Sequence, residues 1–381
     1  MKKMLLLAFA GILLLPQVSS CDRSKAAGED NAGTASLTFF QLNLWEGLQN
    51  VDNGFQILFD QLVDLKPDVA SFCEFPSQGT ETSAGPTAEY ILKQAIDVLY
   101  RETGIRYCKT SMTGNGTRGI LTRHPIVEGA AAVASSGKPG AQPWYYRTVI
   151  NFNGQEIAIY SSHSTPYYYG CYLPRGYGDG SSPYGWNKLS GGPVTDVSFI
   201  LDREKLGDRV QMAVDLDADT KDQAAAGRLC IYAGDLNQPS HLDWTQQTRN
   251  LFQHNGCVVP WTVSEYLLAH GFKDAYREVY PDPVKYPGLT WPVCNKDAKK
   301  RTEWAAEADE RDRIDYVYFR EDERISVRKA QLVGPDAMMA ESRKVPDAFI
   351  DKESEIILPA GNRWASDHRG LFMTFEIKLS Q

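Results

Sequence analysis

The chain has 381 residues, enough for one large domain or two ordinary ones, and its 43% hydrophobic content is that of a soluble globular protein. Lysine and arginine number 40 against 48 acidic residues, a formal net charge of −8. An acidic whole offers no general attraction to polyanions, which disfavours nucleic acid as the main partner unless a local basic cleft supplies it.

Residues 1–20 stand apart. Lys2 and Lys3 precede an apolar stretch from Met4 to Leu15, and Val18-Ser19-Ser20 lead to Cys21. A basic start, a short apolar core and small residues read as a signal peptide, too short to span a bilayer comfortably. A cysteine directly after the small residues is similar to the lipobox of bacterial lipoproteins, in which that cysteine is lipidated. The expectation is therefore a leader over residues 1–20, a lipid anchor at Cys21 and a location in the bacterial cell envelope. Residues 21–36, rich in Ala, Gly, Ser and charge, read as a flexible tether. Residues 37–381 show no internal repeat and no second composition, so one domain, acting as a monomer, is the economical reading.

Leu37 to Leu44 has strand composition and alternation. Phe55, Leu58, Phe59 and Leu62, spaced at three and four, predict a helix over 54–65. Val69 to Glu74 is a strand ending in an acid, and a second helix is expected over 87–100. Short strands follow over 105–109, 117–122, 126–133, 144–152 and 156–162, with Asn153-Gly154 as a two-residue hairpin turn. The last runs into Ser162-His163. Tyr167, Tyr168, Tyr169, Tyr172 and Trp186 crowd the next stretch among glycines and prolines; disordered linkers avoid aromatics, so an ordered excursion is expected, either a packed loop or a substrate rim. A long helix is expected over 193–216. The apolar run Leu229–Ala233 then breaks at Gly234, and Asp235 and Asn237 follow two residues apart, a spacing that turns side chains the same way at a strand end. A helix over 261–270, a solvated charge run over 296–312 and strands over 313–320, 325–333 and 370–379 complete the chain. Cys73 and Cys230 lie in apolar runs and read as buried thiols; Cys257 and Cys294 lie in loop-like surroundings and are the expected disulfide pair.

Polar groups recur at the ends of successive apolar strands: Asn43, Glu74, His163, Asp235 with Asn237, Asp315, and the Asp367-His368 doublet. Each alone has an ordinary structural explanation as a turn or a surface pair. Strand interiors disfavour Asp and Asn, and together the groups are what a shared metal and acid/base pocket above a sheet would leave.

Their order and type resemble the endonuclease/exonuclease/phosphatase superfamily. The matching stretches are Gln41-Leu42-Asn43, Cys73-Glu74, Arg118 to Ile126, Ser162-His163, Gly234-Asp235-Leu236-Asn237, Arg313-Ile314-Asp315-Tyr316 and Ser366-Asp367-His368. The resemblance implies a DNase I-like α/β four-layer sandwich, two mainly antiparallel β-sheets packed face to face with helices outside. It implies Glu74 as principal ligand of Mg²⁺ or Mn²⁺, with Asn43 close by and Asp367 in support. Asp235 would orient or deprotonate the attacking water, and Asn237 would hold that water and a phosphate oxygen. His368, oriented by Asp315, would contact the scissile phosphate; His163 and Arg147 would contact phosphate oxygens. The family's nucleases carry an acid just upstream of the Arg118 strand as partner to the first histidine, and Thr113-Gly114-Asn115-Gly116-Thr117 has none.

The function expected is an exported, metal-dependent phosphoric-ester hydrolase acting on a small phosphorylated sugar, nucleotide or lipid headgroup. A DNase, a sphingomyelinase-like enzyme that touches membrane through the aromatic excursion, and a non-catalytic binding module are the alternatives.

Overall fold

In the strand Thr34–Asn43, Leu37 and Phe39 enter one apolar cluster while Phe40 and Leu42 enter another. Both faces of the strand are buried, because its two side-chain rows meet different partners. The second row packs against the helices Gly54–Leu65 and Ala88–Thr103; the first faces a second sheet. The strand Leu229–Asp235 repeats the arrangement: Leu229, Ile231 and Ala233 join the cluster between the sheets, whereas Cys230 and Tyr232 pack under the helices Arg209–Ala225 and Thr262–Ala269. Helices, sheet, sheet and helices form the four layers expected. The computed structural model describes residues 33–75, 87–111, 117–133, 143, 145–305, 307–352 and 355–379.

The seven-stranded sheet runs, in spatial order, Ile356–Ile357, Ile325–Val333, Gly370–Lys378, Thr34–Asn43, Val69–Cys73, Gly119–Thr122 and Cys108–Ser111. The six-stranded sheet runs Ile126–Val133, Tyr145–Phe152, Gln155–His163, Leu229–Asp235, Asp315–Arg320 and Phe272–Asp274. Thr34–Asn43 pairs in parallel with Val69–Cys73, and Gln155–His163 with Leu229–Asp235. Parallel neighbours release their C-terminal ends on the same edge. Asn43 therefore stands level with Cys73, beside Glu74, and His163 stands level with Asp235.

Several expectations change. The first strand begins at Thr34, so residues 34–36 belong to the sheet, with Ser36 paired to Glu376, and not to a tether. The helix expected over 193–216 is two, Val197–Lys205 and Arg209–Ala225, broken where Asp208 takes a left-handed φ of 56°. The break lets buried Arg209 pair with Glu204 at 2.9 Å and donate to the carbonyls of Thr165, Tyr167 and Tyr168. The charge run over 296–312 is not a solvated face throughout. Buried Glu310 accepts from the backbone N–H groups of Trp304 and Ala305, and buried Asp312 from Arg175 (2.6 Å) and the Trp244 indole (3.0 Å). Cys257 and Cys294 are free thiols, so the expected bridge is absent; Cys73 and Cys230 are buried thiols as expected. The leader and Cys21 lie outside the described residues. Among the described residues, no helix is long and apolar enough to cross a membrane.

Asp68 ties the start of the second strand to its neighbours in the seven-stranded sheet. Its carboxylate accepts from the Thr38 N–H (2.7 Å) and hydroxyl (2.6 Å) and from Arg123 (2.6 Å), and His124 lies 3.0 Å away. Burial opposes the charge, but these donors outweigh it and hold the carboxyl at about 2. A depressed folded-state value stabilises above the ordinary 3.8 and loses that contribution as pH falls towards 2. Asp68→Ala is expected to cost about 3 kcal/mol in chemical denaturation at pH 7. The gap to wild type should shrink by about 2 kcal/mol between pH 4 and pH 2.

Candidate active site

Gly234 is where the site begins. A Cβ there would lie 2.1 Å from the Ser162 carbonyl oxygen, so only glycine lets this strand end approach its parallel neighbour. Asp235 and Asn237 converge as anticipated, but through a turn: the Asn237 N–H donates to Asp235 Oδ1 at 2.8 Å, and Asn237 takes a left-handed φ of 46°. The Asn237 amide then donates to the Ser164 carbonyl (3.0 Å) and lies 3.3 Å from His163 Nε2. Glu74, at the end of its own strand, also has a left-handed φ, 59°. Two non-glycine residues held there by their surroundings mark a backbone shaped around a site.

The remaining groups close around this turn. Asn43 Nδ2 donates to Glu74 Oε1 (2.9 Å) and Asp235 Oδ2 (3.0 Å), tying the two sheets' edges together. His163 Nε2 lies 3.3 Å from Glu74 and 3.6 Å from Asp235. His368 Nδ1 meets Asp315 at 2.8 Å, which turns its Nε2 towards Asp235 (3.9 Å) and Asp367 (3.8 Å). Every predicted acid, amide and histidine is thus in one cluster. His163 finds its acidic neighbours within the site, although the stretch upstream of Arg118 supplies none.

Two expectations fail to join it, and a third residue joins in a different role. Arg147 points to the opposite side of its sheet, where it pairs with Asp219 (2.6 Å) on the helix Arg209–Ala225 and with Glu128 (3.5 Å). Its strand neighbour Tyr160 faces the same way and also meets Asp219, while Ser161 faces the other sheet. Arg147 is a structural pair and not a phosphate contact. Within the aromatic excursion, Tyr169 and Tyr172 are buried among Trp244, Trp261 and Cys171 and form a core; Tyr167 is exposed, and Tyr168 and Trp186 are partly buried. Asn43 presents its N–H groups to the carboxylates, because its Oδ1 accepts from the Trp45 N–H at 2.9 Å, so it spaces Glu74 and Asp235 and offers no oxygen between them.

Other residues serve without having been assigned a role from sequence. Gln41 Nε2 donates to Asp315 Oδ1 (3.0 Å), Trp291 Nε1 to Asp367 Oδ2 (3.2 Å), and the Ser366 hydroxyl to the Asn43 carbonyl (2.6 Å). Gln41 and Ser366 flank predicted residues and were legible as neighbours; Trp291 comes from a distant loop and carried no signal.

Electrostatics follow from crowding. Burial, with Asp315 beside it, pushes the Asp235 carboxyl up to about 8, and burial with Glu74 nearby pushes Asp367 up to about 7. Burial opposes charge on His368, but Asp315 and Asp367 outweigh it and raise the imidazole to about 10, so it is an imidazolium at neutral pH. Burial raises Glu74, and His163 and the Asn43 amide overcome this and lower it. Burial lowers His163, and Arg118 adds to the effect while Glu74 opposes it. Acids crowded until two of them retain protons near neutrality indicate a deficit of positive charge. Two groups, Glu74 with His163 and Asp235, and Asp235 with Asp315 and His368, bring ligating atoms within 4.8 Å of one another. Hard oxygen donors in excess suit Mg²⁺ or Mn²⁺.

A model of the endonuclease/exonuclease/phosphatase family matches residues 41–368. An uncharacterised protein of Caenorhabditis elegans is 28% identical over 313 residues, which cover 81% of this chain and 85% of that one. Among solved structures, an endonuclease/exonuclease/phosphatase family protein from Leptotrichia buccalis aligns at 16% identity with a TM-score of 0.47, covering 88% of this chain and 98% of its own. D. rerio TDP2 in complex with a single-strand DNA product aligns at 16% identity and 0.46, covering 90% and 99%. An AP endonuclease from Archaeoglobus fulgidus aligns at 14% and 0.45, covering 88% and 98%.

The raised acids couple cation binding to pH. A carboxyl raised in the folded state withdraws stability as pH climbs through its folded value, here from the ordinary 3.8 towards 7 and 8. A cation that binds the charged forms restores it. Saturating Mg²⁺ should therefore raise the melting temperature, and by more at pH 8 than at pH 6. An equal rise at both, measured by calorimetry, contradicts the charge-deficit reading.

Proposed function

Because the chain belongs to the endonuclease/exonuclease/phosphatase family, we propose that it is a metal-dependent hydrolase of phosphoric esters borne by small molecules. The observation that carries this reading is the convergence of Asp235, Asn237, His163, His368 and Glu74 from separate strand ends onto one edge. His368, charged and fixed by Asp315, faces the phosphate and offsets the negative charge that develops on it. Asn237 holds the attacking water and a phosphate oxygen. Asp235, charged when a cation lies beside it, orients that water and takes its proton. Glu74, spaced from Asp235 by the Asn43 amide and with Asp367 in support, would hold Mg²⁺ or Mn²⁺, whose contribution is Lewis-acid polarisation of the phosphoryl group. His163 contacts a second phosphate oxygen.

The arginines bear on the size of the substrate. Arg118 donates to the His163 carbonyl (2.8 Å), Arg123 pairs with Asp68 (2.6 Å) and Arg147 with Asp219 (2.6 Å). These three arginines are each committed internally, on a chain of net charge −8. A single phosphoester needs only the site's own donors. Export and anchoring through Cys21 rest on the leader-like residues 1–20. In this reading the enzyme works in the bacterial cell envelope.

Hydrolysis of bis-p-nitrophenyl phosphate should require Mg²⁺ or Mn²⁺ and stop with EDTA. His368→Ala and Asp235→Ala should each lower kcat by about a thousandfold or more. Full activity in either variant contradicts the assigned roles, and faster cleavage of plasmid DNA than of any small ester contradicts the substrate size. Palmitate labelling in bacterial cells should mark the full chain and be lost in Cys21→Ser.

A further inference from the structure

The aromatic groups on one side of the site form a connected series that leads outward. The Trp291 indole, which donates to Asp367, has its ring 6.3 Å from the His368 ring. Trp304 lies 6.2 Å beyond Trp291, and Trp186 packs edge-on against Trp304 at 4.3 Å with 75° between planes. Tyr167 lies 6.5 Å from Trp186. The series opens outward at two rings: Trp291 is buried and Trp186 partly buried, while Trp304 is 47% exposed and Tyr167 53%. Trp304 is exposed but not loose. Its backbone N–H donates to Glu310 at 3.0 Å, and Glu310 also accepts from Ala305 N–H and the buried Tyr172 hydroxyl. A large, rigidly mounted indole open to solvent and separated by one ring from the phosphate-facing histidine is a surface for stacking.

We infer that Trp304 is the stacking platform for the base of a nucleoside phosphoester whose phosphate sits at His368, an inference that rests on the phosphoester reading of the site. The alternatives fit less well. A sugar ring needs polar side chains to meet its hydroxyls, and the ionic groups closest in sequence to the platform already meet one another: Glu303 with Arg301 (3.1 Å), Asp309 with Arg311 (2.7 Å), and Glu307 with Lys188. A base stacks on its π-face and asks for no such partners. A quaternary ammonium needs ring faces converging on a vacant point, whereas Trp186 and Trp304 are closed edge-to-face on each other.

Two diesters sharing one leaving group separate the platform from the chemistry: thymidine 5′-(p-nitrophenyl phosphate) and methyl p-nitrophenyl phosphate. The ratio of their kcat/KM values should fall roughly tenfold in Trp304→Ala, mostly through KM for the thymidine ester, and largely recover in Trp304→Phe. An unchanged ratio, or equal losses on both esters, overturns the inference. Cleavage of neither ester by the wild-type enzyme overturns the phosphoester reading instead. Calorimetric binding of thymidine 5′-monophosphate then decides the platform: binding lost in Trp304→Ala upholds it, and equal or absent binding overturns it.

Discussion

The arrangement depends on four carboxylates, Glu74, Asp235, Asp315 and Asp367, buried or nearly buried at one edge where two sheets meet, with His163 and His368 among them. Isolated charges in such a place would be strongly disfavoured. The Asn43 amide lies between Glu74 and Asp235, Gln41 and His368 share the two oxygens of Asp315, and Trp291 holds Asp367. These donors keep the acids apart and oriented but do not supply the positive charge they lack. Fold and chemistry therefore meet at one place: a divalent cation would relieve the crowding and also activate the phosphoryl group.

The scaffold around that edge is stiff for ordinary reasons. Strands buried on both faces carry apolar residues in both rows, and their register with neighbouring strands places each polar end group. A one-residue slip of Leu229–Asp235 would send Ile231 and Ala233 to the helix side and Asp235 away from Asp315. The register is thus enforced by the same apolar packing that holds the layers together. Gly234, pressed against Ser162, is a position of this strand where the packing requires the absence of a side chain.

The aromatic stretch after His163 divides into two roles. Tyr169, Tyr172 and Tyr177 are core, packed with Trp244 and Trp261, while Tyr167 and Trp186 lie towards the surface near Trp304. Composition alone could not make that division, because a tyrosine in a glycine-rich loop is equally suited to either. The partners that bury the first group arrive from residues 244–261 and 305–314, far along the chain.

The sequence by itself determined the layers and which polar residues gather at the candidate site. Apolar alternation marked the strands, the Asn153-Gly154 turn marked a hairpin, and acids and amides at strand ends stood out because strands disfavour them. Their order carried the family resemblance. Only the tertiary structure decided which basic residues reach the site, and it turned Arg147 towards Asp219 because the side of a strand on which a residue falls depends on register and on what packs outside. It also joined Gln41 to Asp315 and Trp291 to Asp367, contacts between segments 274 and 76 residues apart. Local patterning constrains what a residue can be part of; which distant residue it meets is decided when the two sheets close over their common core.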